Sequence, residues 1–113
     1  MATSDRTAQL RKGVLELAIL AVLDRDECYS IEIIEQLGQY PALTATPGTV
    51  YPLLARLDKA DKVETRWVEA AGGPPRKYYR LTDEGRAALT EGAAAWSALS
   101  SAMHRVLQLE GDA

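Results

Sequence analysis

The sequence predicts a mainly helical protein with one small β-hairpin and a long helix near its C-terminal end. Three observations carry this expectation. Apolar residues recur at helical spacing between residues 10 and 57. The spacing then shortens to alternation between 63 and 82, and a seven-residue apolar repeat follows. The 113 residues fit one domain with a modest core, and 47% hydrophobic with 26% charged residues is an ordinary globular balance.

Leu10 to Leu23 is apolar on nearly every side, the pattern of a helix at the centre of a packed structure. Asp24 to Glu27 is a charged turn. Ser30 is placed to cap a second helix, with Glu32 and Glu35 near its positive end. Ile31, Ile34 and Leu37 mark the apolar side of that helix, and Gly38 with Pro41 ends it.

Thr46 before Pro47 resembles an N-cap with proline at the first helical position. Pro52, six residues in, would then lose a backbone hydrogen bond; a start near Thr49 would leave it in the first turn. Both starts stay open. Val50, Leu53, Leu54 and Leu57 form one buried stripe, which leaves Thr49, Tyr51, Arg56 and Lys59 on other faces.

Val63 to Glu69 alternates, with Val63, Thr65 and Trp67 on one side. Arg76 to Thr82 alternates too, with Lys77, Tyr79 and Leu81 on one side and Tyr78 and Arg80 on the other. The stretch AAGGPP, residues 70–75, joins them as a hairpin loop too long for a tight turn. Thr82 caps the last helix, with Asp83 and Glu84 in its first turn.

That helix, Asp83 to Leu107, is about 36 Å long and overshoots the small body before it. Leu89, Trp96 and Met103 share one register of the repeat, Leu99 and Val106 another, and Gly92 fills a corresponding slot. The stripe either packs on the chain's own core or is covered by a second copy; helix length favours the second copy.

The formal net charge is −3, yet residues 44–80 carry seven basic and four acidic residues, so that segment is positive and the remainder strongly negative. A local positive field on an acidic body suits a polyanion. Catalysis is not expected: the chain offers no Ser/His/Asp set, no recognisable carboxylate pair and no phosphate-cradling glycine loop between strand and helix. Neither a cofactor nor a metal is expected, since Cys28 and His104 lack partners at ligand spacing. One cysteine and no leader-like start point to a reduced, cytoplasmic setting. The longest apolar run, Val14 to Leu23, is too short to span a bilayer.

Three helices followed by a hairpin form a winged helix-turn-helix, in which the second crossed helix enters the major groove and the hairpin touches flanking backbone. Residues 1–82 are read as this DNA-binding domain and residues 83–113 as a C-terminal dimerisation helix. Alone, Arg76 and Lys77 at the wing root read better as a solvated strand end; with the preceding helices they read as phosphate contacts, with Tyr78 and Tyr79 supplying hydroxyl donors.

The stretches PGTVYPLLARLDK, from Pro47, and GGPPRKYYRLTDEG, from Gly72, together resemble the PadR family of bacterial transcriptional regulators. The resemblance covers nearly the whole chain, and its short length looks like the compact subfamily in which the last helix builds a homodimer. Two departures stand out: Ser30-Ile31-Glu32 replaces the family's Gly-Tyr-Glu, and Asp61-Lys62 stands where a glycine usually precedes the first strand.

The resemblance implies a ligand-responsive repressor that grips an inverted-repeat operator in double-stranded DNA. Gly48, Thr49 and Tyr51 would lie at the groove, Arg56 and Lys59 further along, and Arg76, Lys77 and Tyr78 on the wing. Leu89, Trp96, Leu99, Met103 and Val106 would form the dimer interface. Trp96, with Gly92 and Leu99, would border a cavity for a planar aromatic effector, or be plain packed interface. A regulator without an effector, and a winged helix used only for protein contacts, are the rival readings.

Overall fold

The computed structural model describes residues 5–109. The expected helix from Leu10 to Leu23 is in fact two: α1, Asp5–Arg11, and α2, Leu15–Arg25. Between them the chain tightens, with Lys12 N–H donating to Gln9 and Val14 N–H to Arg11, both three residues back. Gly13 sits at this break, and a glycine in a helix interior is about 1 kcal/mol less favourable than alanine. The apolar count alone hid the interruption. α2 buries Leu15, Ile19, Leu20 and Leu23.

A two-residue strand, β1 (Cys28–Tyr29), follows the charged turn and leads into α3, Ser30–Gly38. Two expectations are corrected here. Tyr29, not Ser30, is the N-cap residue, and its N–H donates to the Glu32 carboxylate at 3.2 Å. The buried residues of α3 are Ile33 and Leu37, with Ile34 partly covered, whereas Ile31 is 52% exposed. Ile33 and Leu37 are four apart and stack on one face; Ile31 lies about 200° around the helix from Ile33.

A 3₁₀ turn at Pro41–Leu43 precedes α4, Pro47–Lys59. The earlier of the two possible starts is the observed one: Thr46 is the N-cap and Pro47 the first helical residue. Pro52 therefore lies inside the helix, where it deprives the Gly48 carbonyl of its N–H partner. Both residues face solvent, so water can serve that carbonyl. Val50, Leu54 and Leu57 are sealed in the core, with Leu53 packed against it.

The turn into the hairpin uses Asp61 at φ 60°, a left-handed conformation that aspartate tolerates better than most residues. Asp61 thus supplies what glycine would. β2, Val63–Ala70, and β3, Gly73–Leu81, then pair antiparallel, and β1 lies on the other edge of β3, giving the order β1-β3-β2. The hairpin differs from expectation. Ala70 pairs with Gly73, so the loop is only Ala71–Gly72, with Gly72 at φ 74°. The two prolines are accommodated by a register shift between Val68 and Ala70, which leaves an extra residue on β3 at Pro74–Pro75.

Val63, Tyr79 and Leu81 bury the root of the hairpin, while Trp67 is 67% exposed because the strands outrun the core. Thr82 caps α5, Asp83–Leu107, by accepting from Gly85 N–H at 3.0 Å. Its hydroxyl also donates to the Asp61 carbonyl at 2.6 Å, which ties the start of α5 to the turn before β2. Gly85 is buried there, and Ala88 and Leu89 pack on the main core, so that core continues into α5 beyond residue 82.

Candidate nucleic-acid interface

Opposite the buried stripe of α4, Gly48, Pro52, Ala55 and Lys59 follow one another at four-, three- and four-residue steps, all exposed. Three small or compact side chains along the crest leave the helix backbone accessible to a partner. Tyr51 stands on one flank, where its hydroxyl and that of Ser30 share a 2.9 Å hydrogen bond. With Ser30 donating, the Tyr51 O–H is left to donate to an incoming oxygen. Thr49 and Arg56, seven apart, stand on the other flank.

The wing separates two residues that are adjacent in the chain. Arg76, Tyr78 and Arg80 share one face of β3, and Lys77 and Tyr79 the other. The Arg76 guanidinium lies over the Tyr29 ring, 4.6 Å from its centroid, and Tyr29 meets Tyr78 edge to face at 5.4 Å. Arg66, beside Tyr78, grips Glu27 with two hydrogen bonds, one of them 3.0 Å long. That bond to Arg66 holds the Glu27 carboxyl below its usual range and raises the guanidinium in turn. On the opposite face, Lys77 Nζ lies 5.7 Å from the Tyr79 ring, and Lys77 pairs across the ladder with Trp67. The sequence pattern missed Tyr29, which sits in a strand too short to show alternation, and Ser30 as a partner of Tyr51.

Ion pairs sort the cations of residues 44–80. Arg56 pairs with Glu16, Arg66 with Glu27 and Arg80 with Glu64. Among the described residues, Lys59, Lys62, Arg76 and Lys77 make no ion pair, so the unneutralised positive field lies at the end of α4 and on the wing. Burial pushes the Cys28 thiol up to about 11, helped by Glu32, Asp26 and Glu27. Among the described residues there is no group of His, Cys, Asp or Glu that could hold a metal, and no helix is long and apolar enough to cross a membrane.

On α5 the expected interface residues divide. Leu89 is half-buried against the chain's own core, and Gly92 gives room to Leu17: a Cβ there would come within 2.6 Å of Leu17 Cδ1. Gly92 therefore gives α5 its close contact with α2 within the chain. Trp96, Leu99, Met103 and Val106 are 44 to 73% exposed.

Helices α2, α3 and α4, the short sheet and the projecting β2–β3 hairpin define a winged helix-turn-helix protein, with α4 in the position of a recognition helix. Comparison with known proteins narrows this class. The model of the transcriptional regulator PadR-like family matches residues 19–91, and the chain belongs to that family. It is similar to a PadR-like transcriptional regulator of Bacillus cereus, 35% identical with a TM-score of 0.80, over 88% of this chain and 97% of that one. It also resembles the transcriptional regulator Rv3488 of Mycobacterium tuberculosis, 32% identical over 83 residues, 74% of this chain and 76% of the relative. A third likeness is to Bacillus subtilis PadR, solved in complex with operator DNA: 28% identical with a TM-score of 0.63, over 71% of this chain and 46% of that one.

Proposed function

We propose that the chain is a cytoplasmic repressor that binds an inverted-repeat operator as a homodimer, with residues 1–82 as the DNA-binding head and 83–113 as the dimerisation arm. Residues 1–4 and 110–113 of those segments lie outside the described residues. The observation that carries the reading is the exposed crest of α4, ending in Lys59, with Arg76 and Lys77 of the wing on the same body and none of the three in an ion pair among the described residues. A crest of Gly48, Pro52 and Ala55 lets α4 sit deep in a major groove. Thr49 and Tyr51 contact bases or phosphates from its flanks, Arg56 and Lys59 follow, and Arg76, Lys77 and Tyr78 hold the backbone beside it. Bacillus subtilis PadR, a relative of the same fold, binds operator DNA, which supports this reading.

Two copies joined along Trp96, Leu99, Met103 and Val106 would set their α4 helices about 34 Å apart, one turn of duplex. Leu89, half-buried already, would border that joint. The test is a gel shift with the DNA upstream of the chain's own coding region. A retarded complex at low salt supports the reading, and no retardation of any duplex overturns it. Lys77→Ala should lower affinity for all sequences and reduce the salt slope by about one unit per protomer engaged, measured by titration at several salt concentrations.

An effector would act by favouring a dimer whose recognition helices no longer match the half-sites. Trp96, with Leu99 beside it, offers a flat apolar surface for a planar aromatic molecule. A Trp67→Phe variant leaves Trp96 as the sole tryptophan. Its emission should change on titration with planar aromatics, and a flat response across a panel would remove the effector from the proposal.

A further inference from the structure

A groove of about 540 Å³ runs between the α1–α2 turn and α4. Its apolar lining includes Leu15 and Leu53, and three cations line it too: Arg11, Lys12 and Arg56, with the Thr49 hydroxyl on the α4 side. Arg11 and Lys12 make no ion pair among the described residues. Arg11 is held near the groove by a 3.4 Å hydrogen bond to the Ala42 carbonyl. The carboxylate beside the groove, Glu16, is engaged with Arg56 at 3.4 Å. That pair is well exposed on the arginine side, and exposed pairs add little stability, so Arg56 can exchange Glu16 for another anion at little cost.

The two walls belong to different parts of the chain. Thr49 and Arg56 form the flank of α4 away from Tyr51, while Arg11 and Lys12 lie more than thirty residues earlier, outside the positive segment that the charge count singles out. A duplex seated on the α4 crest brings one of its strands over this flank.

We propose that the groove is a further phosphate site, taking a run of the DNA backbone with Lys12 and Arg11 donating to phosphate oxygens and Thr49 bonding the same strand. The proposal rests on α4 lying in a major groove. An apolar floor suits deoxyribose, and cationic walls suit the phosphates on either side of it. The acidic body thus contributes positive charge to the interface through Arg11 and Lys12, and the contacts are independent of base sequence.

The test is fluorescence anisotropy of the full chain with a duplex of about 30 base pairs, three helical turns, titrated at several salt concentrations. Two sequences are used, the chain's own upstream DNA and an unrelated one. Lys12→Ala should weaken binding to both and lower the salt slope by about one unit per protomer engaged; the double variant Arg11→Ala, Lys12→Ala should lower it by about two. Lys12→Arg should restore the slope. Circular dichroism should match the unsubstituted chain, since Lys12 is exposed and Arg11 ends α1 outside the core.

A slope unchanged in both variants, in proteins that still respond to Lys77→Ala, overturns the proposal while leaving the DNA-binding reading intact. Failure of the unsubstituted chain to bind either duplex removes the underlying reading and this site with it.

Discussion

The two halves of α5 share one helix and one apolar repeat but have different surroundings. Before Gly92 the helix is part of the body: Gly85 is buried, Ala88 and Leu89 pack on the core, and Gly92 touches Leu17 in the first turn of α2. After it, every large apolar side chain from Trp96 to Val106 is at least 44% exposed. The repeat is continuous, so periodicity alone does not say where the chain's own partner ends. What marks the boundary is steric: Gly85 and Gly92 stand where another backbone or side chain comes close, and the exposed large side chains begin at Trp96.

The comparison is broken most severely at Gly85. A Cβ there would overlap the Lys62 carbonyl oxygen and crowd Leu81 Cδ2 at 2.9 Å, and backbone cannot step aside as a side chain can. Gly85→Ala should destabilise the head by about 3 kcal/mol, read as a lower urea midpoint. Leu99→Glu tests the other half. If a second copy covers the stripe, the variant should keep its helical circular dichroism but sediment as a single subunit, with self-association weakened at least about 30-fold. A variant that still associates as the parent does would place the interface elsewhere. Gly92→Ala should be mild, within about 1 kcal/mol of the parent. The neighbour it meets is the flexible end of Leu17, and alanine recovers helix propensity of about 1 kcal/mol.

The smallest effect concerns the strap between the β1 turn and the wing. Glu27 has its folded pKa depressed by Arg66, so its contribution is present above its ordinary 4.5 and lost as pH falls through the lower folded value. The urea midpoints of the parent and of Glu27→Gln should differ slightly near about pH 6, and the difference should shrink as pH falls below 4.5.

Much of the fold was legible because long stretches held one period. Val50, Leu54 and Leu57 announce the buried side of α4, and the alternation around Tyr79 announces β3. What was hidden lay in short or ambiguous stretches. β1 has two residues, too few to alternate, yet it places Tyr29 under Arg76. Ile31, Ile33 and Ile34 crowd one turn, and only tertiary packing chooses Ile33 and Leu37 over Ile31. Arg11-Lys12-Gly13 separates Leu10 from the apolar run that begins at Val14, and the turn between α1 and α2 falls there. Arg76 and Lys77 read as one basic pair, but the pleat sends them to opposite faces, so each meets a different aromatic neighbour. The cations at Arg11 and Lys12 escaped the charge count because proximity to α4 is a property of the folded chain.

The wing also bears on solubility. β1 covers only Tyr78 and Tyr79 on one edge of β3, which leaves Gly73 to Lys77 as an open edge. Pro74 and Pro75 fall within that stretch and have no amide hydrogen to offer another strand. A hairpin that must project to do its work is thereby a poor template for sheet-to-sheet aggregation.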